Sequence, residues 1–210
     1  MATGKADLRR EAGQRTRDGL LAATLELLAQ RGQEGLTLRE ITESAGANVA
    51  AVSYHFGSLK ALCDTAIEHA LERYLDAQIE ALGSLSSGVT LEELAAAFAR
   101  PMVGALAAGG QDLAVMRTVA RVGIDPPQGW DRLAGKFERA RQDALRVLTV
   151  ALPEVDEQEL VFRTRCAAGM LNWLVLAPIG VELAAESAER IERLLVPVLA
   201  GAFRGAPSRG

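Results

Sequence analysis

The chemistry this chain could do is recognition rather than bond-making, and the residues that carry it lie between Ala45 and Ser58. Gly46 can adopt the left-handed backbone of a tight turn. Asn48 is a good N-cap, because its side-chain oxygen can accept an orphan N–H of the following turn. Gly57 closes the short helix that Asn48 opens, and Ser58 can cap the next one. A helix of about two turns is not stable alone in water. It must be braced by neighbours, and its exposed face is then presented rigidly to something else. Val49, Ala50, Ser53 and Tyr54 are left mostly on its outer sides, and the small residues there let the helix backbone approach base edges closely. Together with another short helix just before it, the pattern predicts a helix-turn-helix whose second helix enters a DNA groove.

Catalytic patterns are missing. The sequence has no nucleophile elbow, phosphate-binding loop or metal-ligand spacing, and its acids are scattered over helix faces. No enzyme activity and no cofactor are expected. Two histidines and two distant cysteines, Cys63 and Cys166, make a metal site improbable. The cysteines read as reduced cytoplasmic thiols or small core residues. No apolar run reaches the roughly 18 residues of a membrane span, and no secretory signal is visible. Net charge is −4, but it is uneven: residues 1–60 carry eight Lys or Arg against seven acids, the remainder fifteen against twenty. Lys5, Arg9, Arg10, Arg15 and Arg17 cluster at the start. They form either a solvated tail or an arm that follows the phosphate backbone or enters the minor groove.

The elements that position these residues are helical throughout. Strand-like alternation is missing, and Ala, Leu, Glu and Arg dominate. A first helix is predicted over 16–31, with Leu21, Leu25 and Leu28 as its stripe. A second begins after Thr37, where Thr37 and Glu40 form a capping box, and ends at Gly46. The short third helix spans 49–56 and turns Val52 and Phe56 to one face. A fourth, 59–82, is a rod of about 36 Å that joins two domains. Gly83 to Gly88 is a linker. Thr90 to Glu93 repeats the capping box and opens a fifth helix, which Pro101 should kink or split. Further helices are predicted over 111–121, from about Trp130 to Pro153, over 156–177, and over 187–203. The fold class is therefore all-α. Its parts are a flexible basic arm (1–14), a three-helix DNA-binding domain (15–60), and a C-terminal helical bundle for ligand binding and dimerisation (83–205). A frayed tail (206–210) follows.

Leu36-Thr37-Leu38-Arg39-Glu40-Ile41, Ala45-Gly46 and Tyr54-His55-Phe56-Gly57-Ser58 resemble the TetR/AcrR family of bacterial transcriptional regulators. The resemblance covers the first sixty residues or so; beyond them only the number and order of helices are similar. It implies a homodimer, a palindromic double-stranded operator and a small-molecule inducer. By position it implies that Thr37, Asn48, Ser53, Tyr54 and His55 contact the DNA backbone, and that Val49, Ala50 and Ala51 face base edges. Two positions depart from the family pattern. The lysine that usually opens the fourth helix is Leu59 here, with Lys60 one place later. The tyrosine common at the first paired aromatic position is Ser53. Since Val49, Ala50 and Ala51 offer no side-chain hydrogen bond, readout would lean on thymine methyls, Asn48 and DNA shape.

Each of these residues also has a plainer reading. Asn48 could only cap, Tyr54 could only cover the surface, and His55 could only brace the fourth helix. Phe56 reads as core, and His69 as an ordinary surface or domain-contact residue. In the C-terminal half, Phe98, Met102, Met116, Trp130, Phe137, Met170 and Trp173 are core residues from which a cavity would recruit a subset, with Arg117 and Asn172 as polar anchors. The last two long helices, with Cys166-Ala167-Ala168-Gly169 allowing close approach, suggest a dimer interface. The leading functional expectation is a repressor released from its operator by a small apolar or amphipathic molecule. The alternative is a helical protein–protein adaptor without specific DNA binding.

Overall fold

The structure, a computed structural model, describes residues 3–86, 88–124 and 134–205. The sequence predicts a breaker loop over Gly123 to Gly129; its first two residues instead end the sixth helix, while 125–129, Trp130 and the 206–210 tail lie outside the described residues. Among the described residues there are ten helices and no strand: α1 (Thr3–Arg31), α2 (Leu38–Ala45), α3 (Val49–Phe56), α4 (Leu59–Gly83), α5 (Leu91–Ala108), α6 (Gly110–Ile124), α7 (Ala134–Ala151), α8 (Glu157–Leu176), α9 (Pro178–Leu183) and α10 (Ala188–Arg204).

The ends of these helices follow from local chemistry. Thr37 accepts the Glu40 N–H while the Glu40 carboxylate accepts the Thr37 N–H at 3.0 Å, the reciprocal pair expected at the start of α2. Gly46 closes α2 with φ 61°, a left-handed conformation that glycine adopts without penalty. Asn48 Oδ1 accepts the Ala51 N–H at 2.8 Å and opens α3. Ser58 Oγ accepts the Ala61 N–H at 3.1 Å and opens α4. Thr90 and Glu93 repeat the box at α5, and Asp156 and Ser187 cap α8 and α10.

Three elements differ from the sequence expectation. α1 begins at Thr3 rather than Thr16, so the basic segment is helical rather than a loose arm. The Thr16 hydroxyl donates back to the Ala12 carbonyl at 3.0 Å, a bond made inside the helix. The intervening Leu, Arg, Glu and Ala are strong helix formers. α5 runs through Pro101 as one helix. At Pro178 the chain does not simply stop, because a proline suits the first position of a new helix, and α9 starts there. Gly180 in α9 lies so close to the Leu174 and Val175 carbonyls that a Cβ would collide with them.

Two lobes share one continuous core. Leu20, Leu25, Leu28, Ile41, Val52, Leu62 and Ala66 are buried where α1, α2, α3 and the start of α4 meet. Further along, α4 packs against α5, α6 and α7, and buries Leu71, Leu75 and Leu82. The rod thus belongs to both lobes. α1 and α6 form a second seam. Gln111 donates to Glu26 at 2.6 Å, and Arg121 donates to the carbonyls of Ala29 at 3.2 Å and Gln30 at 2.8 Å, capping the C-terminal end of α1. Arg73 of α4 pairs with Asp112 of α6 at 2.7 Å across the same junction.

Candidate nucleic-acid interface and effector cavity

The eight-residue helices α2 and α3 present the candidate interface because neither can bury more than one side. Val52 anchors α3 at 1% exposure, and Ala51 packs half-buried beside it. The opposite face carries Val49, Ala50 and Ser53, all exposed, and Tyr54, which is 84% exposed. Phe56 is half-buried against the core with the Arg17 guanidinium 5.3 Å above its ring, a cation–π contact that ties α3 to α1. His55 is half-buried, edge-on to Tyr54 at 4.8 Å and beside α1 at Gly13. Asn48 is exposed and spends one oxygen on its cap, which leaves its amide N–H donors for another partner.

Thr37 stands at the exposed start of α2. Its hydroxyl donates to Glu40 at 2.7 Å, and the Arg31 guanidinium reaches the same carboxylate at 2.7 Å. Hydrogen bonds from Arg31 and then from Thr37 hold the Glu40 carboxyl down at about 2. Lys60 is exposed and paired with Asp64 at 2.6 Å. An exposed i,i+4 pair contributes about 0.3–0.5 kcal/mol, so it does not hold Lys60 away from a phosphate. The nine residues Thr37, Asn48, Val49, Ala50, Ala51, Ser53, Tyr54, His55 and Lys60 therefore fall on the starts of α2 and α4 and along α3. Most stand exposed; Ala51 and His55 are half-buried. Arg31, at the end of α1, has no signal in the linear spacing.

In the second lobe a cavity of about 740 Å³ opens between α4, α5, α6, α7 and α8. Phe98, Phe137 and Asn172 line it. Met102 and Met116 are buried at 1% and 3% exposure and take no part in the lining. Arg117 and Met170 are half-buried outside it, and Trp173 is 61% exposed on the outer face of α8. Asn172 lies over Gly123, so closely that a side chain there would push its amide aside. Tyr74 also lines the cavity, and burial pushes its phenol up to about 12, so it stays neutral.

Gln78 was also missed from sequence. It lines the cavity at 3% exposure, and neither polar atom of its carboxamide finds a hydrogen-bond partner. Leaving a buried polar group unpaired costs about 1–3 kcal/mol. A signal was present: Leu71, Leu75, Gln78 and Leu82 fall at helical spacing on one face, and Gln78 is the polar exception.

Sequence comparison places this geometry among known proteins. Residues 20–65 match the bacterial regulatory proteins of the tetR family, and residues 96–202 match the tetracyclin repressor-like C-terminal domain. A probable HTH-type transcriptional regulator, YttP of Bacillus subtilis (strain 168), is 32% identical over 79 residues. That alignment spans 38% of this chain and 38% of YttP. A TetR-family protein from Rhodococcus sp. superposes with a TM-score of 0.59 at 18% identity, covering 89% of this chain and 99% of its own. The TetR-family regulator PfmR from Thermus thermophilus gives 0.62 at 20% identity, covering 92% of this chain and 98% of its own. The two structures share the fold. With both lobes matched in sequence, the chain belongs to the TetR family, whose members are non-enzymatic DNA-binding regulators of transcription.

Proposed function

We propose that the protein is a ligand-responsive regulator that binds a palindromic operator as a homodimer, acts as a repressor, and is released by a small apolar or amphipathic molecule. The observation that carries this reading is continuity: the lobe that presents α3 and the α4–α8 cavity are joined by the same two helices. α4 is one rod through both lobes. α6 lines the cavity with Val119 and Gly123, and between them Arg121 caps α1.

The dimer rests on two exposed stripes. On α8, Phe162, Cys166, Gly169 and Trp173 lie at helical spacing, all exposed. On α10, Leu194, Val198 and Gly201 do the same. Pairing two copies through these helices covers both stripes and gives the twofold axis that a palindrome requires. Two α3 helices would then enter successive major grooves about 34–36 Å apart. A ligand in the cavity changes DNA affinity only if it binds the two spacings unequally.

Fluorescence anisotropy with duplexes from the region upstream of the protein's own coding sequence tests this. A dimer held by phosphates should lose roughly a thousandfold in affinity between about 50 and 200 mM salt. Tyr54→Phe should weaken every duplex alike, as loss of a phosphate contact does. Salt-insensitive binding, or no preference among duplexes, would favour the adaptor reading. A change of base preference in Tyr54→Phe would contradict the phosphate role.

A further inference from the structure

We propose that the α4–α8 cavity selects an uncharged amphipathic molecule whose polar edge carries a hydrogen-bond donor beside an acceptor, as an amide or lactam does, seated on the Gln78 carboxamide. This rests on the reading of the cavity as the effector site. Gln78 Nε2 and Oε1 are buried without partners in the protein and closed to solvent, so a ligand seated on them must displace the wall that covers them; along that edge it meets an N–H donor beside the carbonyl acceptor. The group that satisfies both at once is the mirror of a carboxamide. A carboxylate presents acceptors only and sets an oxygen against Gln78 Oε1. An ammonium presents donors only and opposes Nε2.

The rest of the wall points the same way. Its apolar part is Leu71, Leu75, Phe98, Val119 and Phe137, which suits a hydrocarbon body. Its uncharged polar groups are the buried Gln78 amide and the half-buried Tyr74, Thr164 and Asn172, of which the Thr164 hydroxyl is spent on the Leu160 carbonyl. The charged members of the described lining are Glu138, Arg141 and Arg165. Glu138 and Arg141 neutralise each other through bonds of 2.6 and 2.9 Å, and Arg165 is exposed at the solvent side. An ion seated beside Gln78 would therefore lack a counter-charge where desolvation is most costly.

The test uses the full-length protein and isothermal titration calorimetry at pH 8. The probes are the primary amide, carboxylate and ammonium forms of three bodies: an octyl chain, a decyl chain and a naphthyl group. The amides should bind at least about tenfold more tightly than their charged counterparts. Gln78→Leu should abolish that preference and raise the melting temperature of the free protein by about 2–4 °C, since it replaces an unpaired amide with an apolar side chain. Gln78→Met, close to Gln in length, repeats both readings should Leu pack poorly. Tighter binding of a charged form, failure of every amide to bind, or a preference that survives in both variants would overturn the proposal. DNA release is scored separately. Amides that bind without releasing the duplex would strike the ligand-responsive reading and leave the ligand class standing. Charged compounds that release it would do the reverse.

Discussion

Glu40 shows how a single carboxylate can serve three partners. It accepts from the Thr37 backbone, the Thr37 hydroxyl and the Arg31 guanidinium, and so joins the start of α2 to the end of α1. Its pKa falls from 4.5 to about 2 on folding. A depressed carboxyl stabilises the fold fully above the unfolded value and loses that contribution as pH falls through the folded one. The window is thus pH 4.5 to about 2. Scanning calorimetry from about pH 5 to about pH 2 should show the native protein losing melting temperature faster than Glu40→Gln; parallel curves would refute the linkage. The Thr37–Glu40 pair was legible because it is a local spacing. Arg31 was not, because it arrives from across the Gly32–Leu36 turn. Asn48 was legible as a cap for the same reason that Thr37 was. The unpaired state of Gln78 depends on five helices meeting around it, and its register was the only trace left in the linear chain.

At the scale of helices, periodicity and caps carried most of the fold. α2, α3, α4, α5, α8 and α10 begin within a residue of their cap signals. The first helix was read as starting at Thr16 and starts at Thr3, because the segment before it lacks an apolar stripe yet is built of strong helix formers. α9 was missed because proline stops one helix and starts the next with equal ease. The seam between α1 and α6 was not legible at all, since Arg121 lies about ninety residues from the carbonyls it caps. Arg121→Ala should lower stability by about 1 kcal/mol in urea titrations. In hydrogen exchange, the Gly32 amide, which bonds to Leu28 at the end of α1, should open faster while the middle of α5 is unchanged. Equal protection in both proteins would show that the cap is idle.

The whole molecule has two unequal surfaces. The first lobe keeps its large apolar groups inside except on α3, where Val49 and Tyr54 stand out, and at Leu8. The second exposes Phe162, Trp173, Val181, Leu194 and Val198. Sequence reading placed Trp173 among the core residues from which a cavity would draw, because a large aromatic beside apolar neighbours suits core, cavity or surface; only the rotation of α8 separates them. Trp173→Glu should leave helix content intact, because the side chain is mostly exposed. It should shift the protein to monomer in analytical ultracentrifugation and weaken duplex binding, as one copy grips half a palindrome. A mutant that remains dimeric would move the contact elsewhere.

The undivided α4 and the Arg121 clamp also bear on how such proteins diverge. A head cut away after Ser58 would leave α1 with bare carbonyls and α3 without the rod beneath it. Heads exchanged between relatives at that point should fold poorly unless the recipient carries an arginine at the same turn of its α6. Inheritance of a new binding specificity in this lineage is therefore expected to proceed by substitution on α3, not by swapping of modules.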